Sequence, residues 1–366
     1  MNQKKIPLIG TILIVALWAV LTVFAWIAPA KDVSKSERRP LAQLPEITTQ
    51  TLLNGSFMEK FGEYSLDQFP LRDTFRQLKS LFHYNILRQA DNNGIYVVHD
   101  YAVKQEYPLN QDSIDHALNR FQHVYDKYLA KSDSNIVFSI VPDKNFYLAE
   151  PTGHLAMDYE SMFRQFREAL PWAEFVDITG SLEAGDYYRT DTHWRQEKLL
   201  DTAGKLCQAL EVEAPKLADY DIKPVDRPFY GVYYGQAALP MRPESLYLLE
   251  SDLLSDCQVY DYETGKYTDI YNMDKLTSRD LYDVFLSGSK SLLAIENPNA
   301  KSDRELLIFR DSFGSAVAPL LVSDYAKVTL VDIRYIQIDM LERFLEFNGQ
   351  DVLFLYKYFR ILGWKY

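Results

Sequence analysis

The chain has 366 residues, 47% of them hydrophobic, with a formal net charge of −12 and a pI near 5.1. This length suits one large domain, or one domain with insertions and appendages. The excess of acidic residues excludes nucleic acid as a partner, because phosphate binding relies on lysine and arginine. Six histidines are scattered without metal-ligand spacing, so no metal site and no cofactor are expected.

The two cysteines, Cys207 and Cys257, allow two interpretations. They would be able to form a disulfide if the domain lies outside the cell. Cys207, however, falls on an apolar stripe at helical spacing, which favours a buried free thiol.

Residues 6–28 form an uncharged apolar run of 23 residues, and about 20 residues suffice to cross a bilayer. Signal peptides usually have a shorter apolar region of about 7–15 residues. We therefore predict a membrane anchor within residues 1–30, with cleavage at the small-x-small sequence of residues 28–30 as the alternative. The main domain is expected on the extracytoplasmic side, because long domains translocate largely regardless of flanking charge.

The rest of the chain divides into a polar, proline-containing linker at residues 31–50 and a main domain at residues 51–366. Apolar residues at three- and four-residue spacing predict two helices within residues 55–87 and another after Asp112. Residues 211–290 are rich in tyrosine and punctuated by glycine. They are predicted to be an insertion or cap that shapes a substrate cleft.

Short apolar runs alternate with helical patterns from residue 135 onward. The longest runs are residues 135–141, 306–309, 327–331 and 351–356. This alternation predicts an α/β sandwich with a largely parallel sheet. Ligand sites of such folds lie at the carboxyl edge of the sheet. Lys144 and Asn145 follow the first strand and are therefore candidate substrate or oxyanion groups, with a solvated turn as the alternative.

A strand, a sharp polar break and a short helix are predicted around Ser312. Hydrolytic α/β folds present a nucleophilic serine in this way, with helix N-terminal amides facing the developing oxyanion. Ser312 is therefore our nucleophile candidate. The alternative is that Asp311 and Ser312 form an ordinary helix N-cap.

A serine nucleophile needs a general base, and the base needs an acid that orients it. Asp191 and His193 lie two residues apart before a predicted helix, so in an extended turn their side chains face the same way. The carboxylate would then hold one imidazole nitrogen while the other nitrogen faces the cleft. A capping role for Asp191 is the structural alternative.

These residues carry a resemblance to known proteins. The signature of the DHHW family resembles the segment YYRTDTHW, in which Thr192 stands in place of the first histidine. The N-terminal part of that family is also similar to the segment ERRPLAQLP…FMEKFGEYSLDQFPLRD. The blocks RDSFGSA and VDIRY resemble the related alginate O-acetyltransferase proteins, which are SGNH-like hydrolases. The resemblance covers most of residues 37–360 and is weak over residues 211–290.

The resemblance implies an SGNH-hydrolase-like three-layer sandwich in which Asp191, His193 and Ser312 form a catalytic triad. Arg310 stands where the relatives often have glycine before Asp-Ser. Arg334 and Tyr335 end the strand that follows Ser312 and are further candidates for lining the site. A surface salt bridge and a packed aromatic ring are the alternatives for this pair.

The function implied by the resemblance is a membrane-anchored extracytoplasmic serine acyltransferase that O-acetylates an exported or cell-surface polysaccharide. Relatives of this kind often work beside a multi-spanning membrane acyltransferase, which is the expected partner. One alternative is a glycan O-acetyl esterase with the same triad, in which water is the acceptor. Another is a non-catalytic envelope protein that binds glycan or scaffolds a complex.

Overall fold

The computed structural model describes residues 5–34 and 36–357, which fall into two compact units. One unit contains the described residues up to Asn92 together with Tyr234–Pro240. The other contains Asn93–Tyr233 and the described residues from Met241 onward. The three residues of the predicted triad lie in the second unit.

The first unit is mostly helical. Its main elements are α1 (Lys5–Ile27), β1 (Val33–Ser34), β2 (Arg39–Pro40), α2 (Thr49–Leu53), α3 (Ser56–Asp67) and α4 (Arg72–Asn85). Within α1, Leu8–Ile27 is long and apolar enough to cross a membrane, and its most apolar part is not buried inside the protein. The predicted apolar N-terminal helix is thus confirmed.

Ion pairs hold the β1–β2 segment against α3 and α4 in the first unit. The Arg39 guanidinium donates to both carboxylate oxygens of Asp67, at 2.6 and 2.8 Å. This contact lowers the pKa of Asp67 to about 2, and burial opposes the shift. Arg72 and Arg76 pair with Glu37 at 2.5 and 3.1 Å. Ion pairs and hydrogen bonds therefore provide much of the contact between the β1–β2 segment and these two helices.

The second unit alternates strands and helices. In chain order they are β3 (Ile95–Val98), β4 (Tyr101–Lys104), α5 (Gln111–Val124), β5 (Ile136–Val141), α6 (Lys144–Thr152), α7 (Tyr159–Ala169), β6 (Glu174–Phe175), α8 (Leu200–Ala209), β7 (Asp221–Phe229), β8 (Glu244–Glu250), α10 (Asp252–Asp256), β9 (Gln258–Asp261), β10 (Lys266–Thr268), β11 (Leu292–Glu296), β12 (Glu305–Arg310), α11 (Gly314–Val317), β13 (Lys327–Val331) and β14 (Asp351–Lys357). A further helix, α9 (Val232–Ala237), begins in the second unit and continues into the first.

An eight-stranded sheet forms the centre of the second unit, in the order β10-β9-β11-β13-β12-β14-β5-β6. The five strands from β13 to β6 run parallel, while β11, β9 and β10 pair in antiparallel fashion. The predicted α/β fold with a largely parallel sheet is confirmed. Because β5, β12, β13 and β14 are parallel, the residues that follow them share one edge of the sheet.

Helices cover both faces of this sheet. Neighbouring strand residues alternate between two apolar clusters: Val137 lies in one and Phe138 in the other. Residues of α8 and α11 pack in the first cluster, and residues of α5 and α7 pack in the second. The result is a three-layer sandwich. Cys207 and Cys257 are both buried free thiols.

The second cluster allows a test of the fold. Phe354 of β14 is fully buried, with its ring 4.7 Å from that of Phe309 and 5.4 Å from that of Phe121. We expect Phe354→Ala to lower the free energy of unfolding by about 3–5 kcal/mol, through lost burial and a residual cavity. Chemical denaturation of the full chain in detergent measures the change. Phe344→Ala is the control, because Phe344 is 44% exposed; equal losses for both variants would contradict the assigned packing.

Candidate active site

Ser312 lies at the carboxyl edge of the sheet, just after β12 ends at Arg310. The Asp311 side chain fixes this turn: Oδ1 accepts from the Phe313 N–H at 2.9 Å, and Oδ2 accepts from the Lys357 N–H at 2.9 Å. Asp311 thereby fills the capping role that the sequence allowed for either Asp311 or Ser312. The Ser312 hydroxyl is left for another partner, and 8% of the Ser312 surface remains exposed.

Asp191 and His193 lie on a tight turn that is closed by a β-bridge between Tyr187 and Trp194. The turn directs both side chains toward Ser312. Nδ1 of His193 is 2.6 Å from Oδ1 of Asp191, and Nε2 of His193 is 2.8 Å from Oγ of Ser312. The imidazole therefore bridges the acid and the alcohol.

The protonation of the bridge follows from the partner on each side of the imidazole. The Asp191 carboxylate can only accept, so the tautomer with hydrogen on Nδ1 satisfies it. Nε2 then accepts the hydrogen bond from the Ser312 hydroxyl. In this arrangement, Nε2 of His193 is able to take the hydroxyl proton while Oγ of Ser312 attacks a carbonyl carbon.

The Asp191 carboxylate is fully buried and is held by main-chain amides. Oδ1 also accepts from the His193 N–H at 3.0 Å, and Oδ2 accepts from the Val232 N–H at 2.8 Å. These bonds offset the cost of taking a carboxylate out of water. Gly231 makes the approach possible, because a Cβ there would lie 2.3 Å from Cα of Asp191.

Two buried side chains fasten the turn to α11. Trp194 donates from Nε1 to the Phe313 carbonyl at 3.1 Å. Gln196 donates from Nε2 to the Ala316 carbonyl at 2.9 Å and accepts at Oε1 from the Tyr271 hydroxyl at 2.9 Å. The segments that carry His193 and Ser312 are thus joined directly by two further hydrogen bonds.

Tyr282 stacks on the imidazole of His193. The ring centroids are 3.9 Å apart and the planes differ by 9°, while the ring of Phe313 lies 4.9 Å away on a tilted plane. These rings restrict rotation of the imidazole and keep water from it. Tyr282 is not among the site residues predicted from the sequence. Its local signal, a short turn capped by Asp280, gives no indication of contact with a distant histidine.

Lys144 lies beneath the Asp-x-His turn rather than beside the Ser312 hydroxyl. Its Nζ donates to the carbonyls of Tyr188 and Arg189 at 2.8 and 3.0 Å. Burial lowers the pKa of Lys144 to about 7, against the opposing effect of Glu244 and Asp191. The contacts of this side chain support the main chain of the turn.

Asn145 is buried among tyrosine hydroxyls. Its Oδ1 accepts from Tyr96 at 3.0 Å, and its Nδ2 donates to the hydroxyl of Tyr159 at 3.2 Å. Arg334 pairs with the buried Asp332 after β13, with Nε 2.8 Å from Oδ1. Tyr335 is 56% exposed. The side chains of Asn145 and Arg334 thus bind partners outside the Asp191–His193–Ser312 group.

Arg310 is fully buried beneath the Ser312 turn. Its Nη1 donates to the Asp311 carbonyl at 3.3 Å, and its Nε and Nη2 have no hydrogen-bond partner among the described residues. Burial lowers the pKa of this guanidinium, while Asp332 and Asp311 favour its charge. Gly314 is needed above it, since a Cβ there would lie 2.6 Å from Cβ of Arg310.

Two further residues support the site and were not identified from the sequence. Glu244 accepts the N–H groups of Arg189 and Thr190, at 2.8 and 3.0 Å. Lys357 donates from Nζ to Oγ1 of Thr192 at 2.9 Å. Lys357 directly follows the strand predicted at residues 351–356, so the sequence would have allowed us to predict its position at the carboxyl edge of the sheet. Glu244 has no comparable signal.

A comparison with protein-family models matches residues 179–331 to the DHHW protein family. The matched segment contains Asp191, His193 and Ser312. The resemblance to the DHHW family that the sequence suggested is therefore confirmed over this segment. A comparison with curated proteins found no match.

Three solved structures are similar to this chain. A DHHW family protein from Eubacterium siraeum has a TM-score of 0.60 and 21% identity, covering 75% of this chain and 93% of that one. PatB1 from Bacillus cereus, solved with a sulfonyl adduct, has a TM-score of 0.57 and 15% identity, covering 74% and 96%. The O-acetyltransferase domain of Pseudomonas putida AlgJ has a TM-score of 0.44 and 16% identity, covering 74% and 92%.

At these identities, the likeness to the first two structures shows a shared fold. The chain has the SGNH-like α/β fold that the family resemblance implied, with a mixed and mostly parallel sheet. Within it, residues 179–331 carry the DHHW pattern.

The close approach of Gly231 to Asp191 generates a prediction. We expect Gly231→Ala to push the main chain away, break the bond from Val232 and lower the free energy of unfolding by about 1–3 kcal/mol. Thermal denaturation of the full chain measures this. Gly204→Ala in α8 is the control, because a Cβ there lies 3.7 Å from Ala214, an ordinary contact. Equal tolerance of both variants would refute the required close approach.

Burial of Lys144 predicts a pH dependence of stability. Its pKa is about 7 in the folded chain against 10.5 for an ordinary lysine. Between pH 7 and 10.5 the unfolded chain therefore binds more protons, so this group makes stability rise with pH by about 1.4 kcal/mol per unit. Below pH 7 both states are protonated and the contribution is constant.

We expect Lys144→Met to remove this slope, even though the loss of two hydrogen bonds also shifts the stability at every pH. Chemical denaturation of the full chain at intervals from pH 7 to 10 measures the slope. Lys131→Met is the control at an exposed lysine and should keep the slope of the parent chain. The same slope in the parent and in Lys144→Met would show that Lys144 titrates as an exposed group does.

Proposed function

We propose that this protein is a membrane-anchored extracytoplasmic serine acyltransferase that O-acetylates an exported or cell-surface polysaccharide. The observation that carries this proposal is the bridge made by His193, with Asp191 at 2.6 Å and the Ser312 hydroxyl at 2.8 Å. Such a bridge is the requirement for a serine nucleophile activated by a base and an orienting acid.

In the first half-reaction, Oγ of Ser312 attacks the carbonyl carbon of the acetyl donor, and Nε2 of His193 takes the hydroxyl proton. Asp191 stabilises the imidazolium that forms. The tetrahedral intermediate then collapses, the bond to the donor oxygen breaks, and His193 returns the proton to that oxygen. The acetyl group is left as an ester on Ser312.

In the second half-reaction, a sugar hydroxyl attacks the acetyl ester while His193 takes its proton. The bond to Oγ of Ser312 breaks, and the serine regains the proton from Nε2. Over both half-reactions the donor loses its acetyl group and gains a proton, while the sugar hydroxyl loses a proton and gains the acetyl group. The rings of Tyr282 and Phe313 lie beside the imidazole and keep its orientation through both proton transfers.

The oxyanion of each intermediate needs hydrogen-bond donors. The Ser312 N–H is the first candidate, because it makes no hydrogen bond to other described residues. The neighbouring Phe313 N–H is already used by Asp311 at 2.9 Å. Lys144, Asn145, Arg334 and Tyr335 are weaker candidates, because their side chains have the other contacts described above.

The membrane setting of the proposal is supported by α1, whose apolar length suits either a signal anchor or a signal peptide. With an uncleaved anchor, the second unit would work at the outer surface of the cell membrane. A multi-spanning membrane acyltransferase is the proposed partner, which would pass the acetyl group outward to Ser312.

A glycan O-acetyl esterase is the second candidate function, since the same three residues would hydrolyse an ester if water reached the acyl group. A non-catalytic envelope protein that binds glycan or scaffolds a complex is the third. The near-ideal distances in the bridge favour either enzyme over the third function, because a binding protein has no need of them.

Ser312→Ala tests the catalytic proposal. We expect the variant to lose at least about 10³-fold of the activity toward a chromogenic acetyl ester, since the nucleophile is absent. A sulfonyl fluoride is a suitable chemical probe, because PatB1 was solved with a sulfonyl adduct. The parent chain should gain one sulfonyl group on Ser312, located by peptide mass spectrometry, and Ser312→Ala should gain none.

Ser315→Ala is the matched control, because Ser315 is a buried serine one turn further along the same segment. It should keep its activity and labelling within about threefold. If parent and Ser312→Ala behave alike in both assays, the non-catalytic function is favoured instead. Acetyl transfer to an added glycan distinguishes the two enzymes: release of acetate without transfer would favour the esterase.

A further inference from the structure

Helix α4 packs its polar side against the protein and exposes its apolar side. Ser80, its buried residue, donates to the Ala237 carbonyl at 2.8 Å, and Arg76 donates to the Gly235 carbonyl at 2.8 Å. Another side of the helix carries apolar residues at three- and four-residue spacing, exposed by 42–66%. We call these the α4 stripe: Leu71, Phe75, Leu78, Phe82 and Ile86. This is the reverse of an ordinary surface helix.

Exposed apolar side chains are concentrated in this part of the first unit. Eleven large apolar residues between positions 52 and 87 are exposed, against nine in all the described residues of the second unit. They include Met58, Phe61 and Leu66 on α3. Single exposed apolar residues are ordinary, but a contiguous row such as the α4 stripe indicates a surface that contacts an apolar partner.

The turn between α3 and α4 is tied to the segment that follows α1. Lys31 follows Ile27, the last residue of α1, by four positions. Gln68 at the end of α3 accepts the Lys31 N–H at Oε1 at 2.8 Å and donates from Nε2 to the Lys31 carbonyl at 2.9 Å. Since four extended residues span at most about 14 Å, these bonds keep α3 close to the point where α1 would leave a bilayer.

We propose that the α4 stripe lies in the interfacial layer of the membrane that holds α1. Interfacial helices bury an apolar face rich in Phe and Leu about 5–10 Å into the boundary between headgroups and acyl chains. The stripe has that composition, and the hydrogen bonds of Lys31 hold the end of α3, which precedes α4 by a short turn, near the end of α1. The first unit would then be a membrane-docking module with two contacts, the α1 span and the α4 stripe.

Lipid is the occupant that these observations favour. A second copy of the chain or a partner protein would also cover an apolar stripe, but neither explains why the turn before α4 is tied to the end of the apolar α1 helix. Lipid docking requires that α1 is retained after export. The intact mass of the chain isolated from membranes tests this requirement separately, and loss of residues 1–30 would overturn the proposal.

The full chain reconstituted in vesicles of phosphatidylcholine and phosphatidylglycerol tests the docking directly. A fluorescent thiol probe is placed on Phe82→Cys, and lipids that carry a shallow nitroxide serve as the quencher. The native Cys207 and Cys257 are buried and should take up little probe. We expect at least twofold stronger quenching for Phe82→Cys than for two controls.

The controls have similar exposure to Phe82, which is 51% exposed. Asp73→Cys lies on another side of the same helix, where the side chain is 59% exposed, and Leu155→Cys lies in the second unit at 52% exposure. Equal lipid quenching at all three positions would overturn the proposal. Protection of the Phe82→Cys probe from both nitroxide lipid and aqueous iodide would also overturn it, in favour of a protein contact.

Discussion

The hydrogen bond between His193 and Ser312 joins segments that are 119 positions apart in the chain, and the rest of the site holds this contact. The Tyr187–Trp194 turn presents the imidazole, and the end of β12 presents the alcohol. Indole and amide side chains then tie the turn to the carbonyls of the α11 segment. Because these hydrogen bonds join the same two segments as the bridge, they hold both partners in place before any substrate binds.

The carboxyl edge of the parallel strands concentrates buried charge around that contact. Lys144 follows β5 and Lys357 ends β14, and Oδ2 of Asp143 lies 3.9 Å from Nζ of Lys357. Burial also raises the pKa of nearby Glu106 to about 8. Charges are costly to bury unless they are paired or hydrogen-bonded, so this region is expected to trade stability for a rigid site, as functional sites commonly do.

Much of the fold was available from local patterns. The predicted strands at residues 306–309, 327–331 and 351–356 correspond to β12, β13 and β14 within one or two residues, because buried strands are continuous apolar runs. Helical spacing in residues 55–87 likewise predicted α3 and α4. The same spacing gave no indication that the apolar side of α4 would be exposed, since periodicity identifies a face but not what covers it.

The sequence by itself determined the alternation of strands and helices, the apolar N-terminal helix, and the closeness of Asp191 to His193, because residues two positions apart are neighbours by covalent geometry. Only the tertiary structure decided that Nε2 of His193 meets Ser312, that Tyr282 stacks on the ring, and that Lys144 supports the turn instead of the alcohol. Those contacts join residues from different strands and loops. Their meeting depends on the order and register of the whole sheet, which no local pattern encodes.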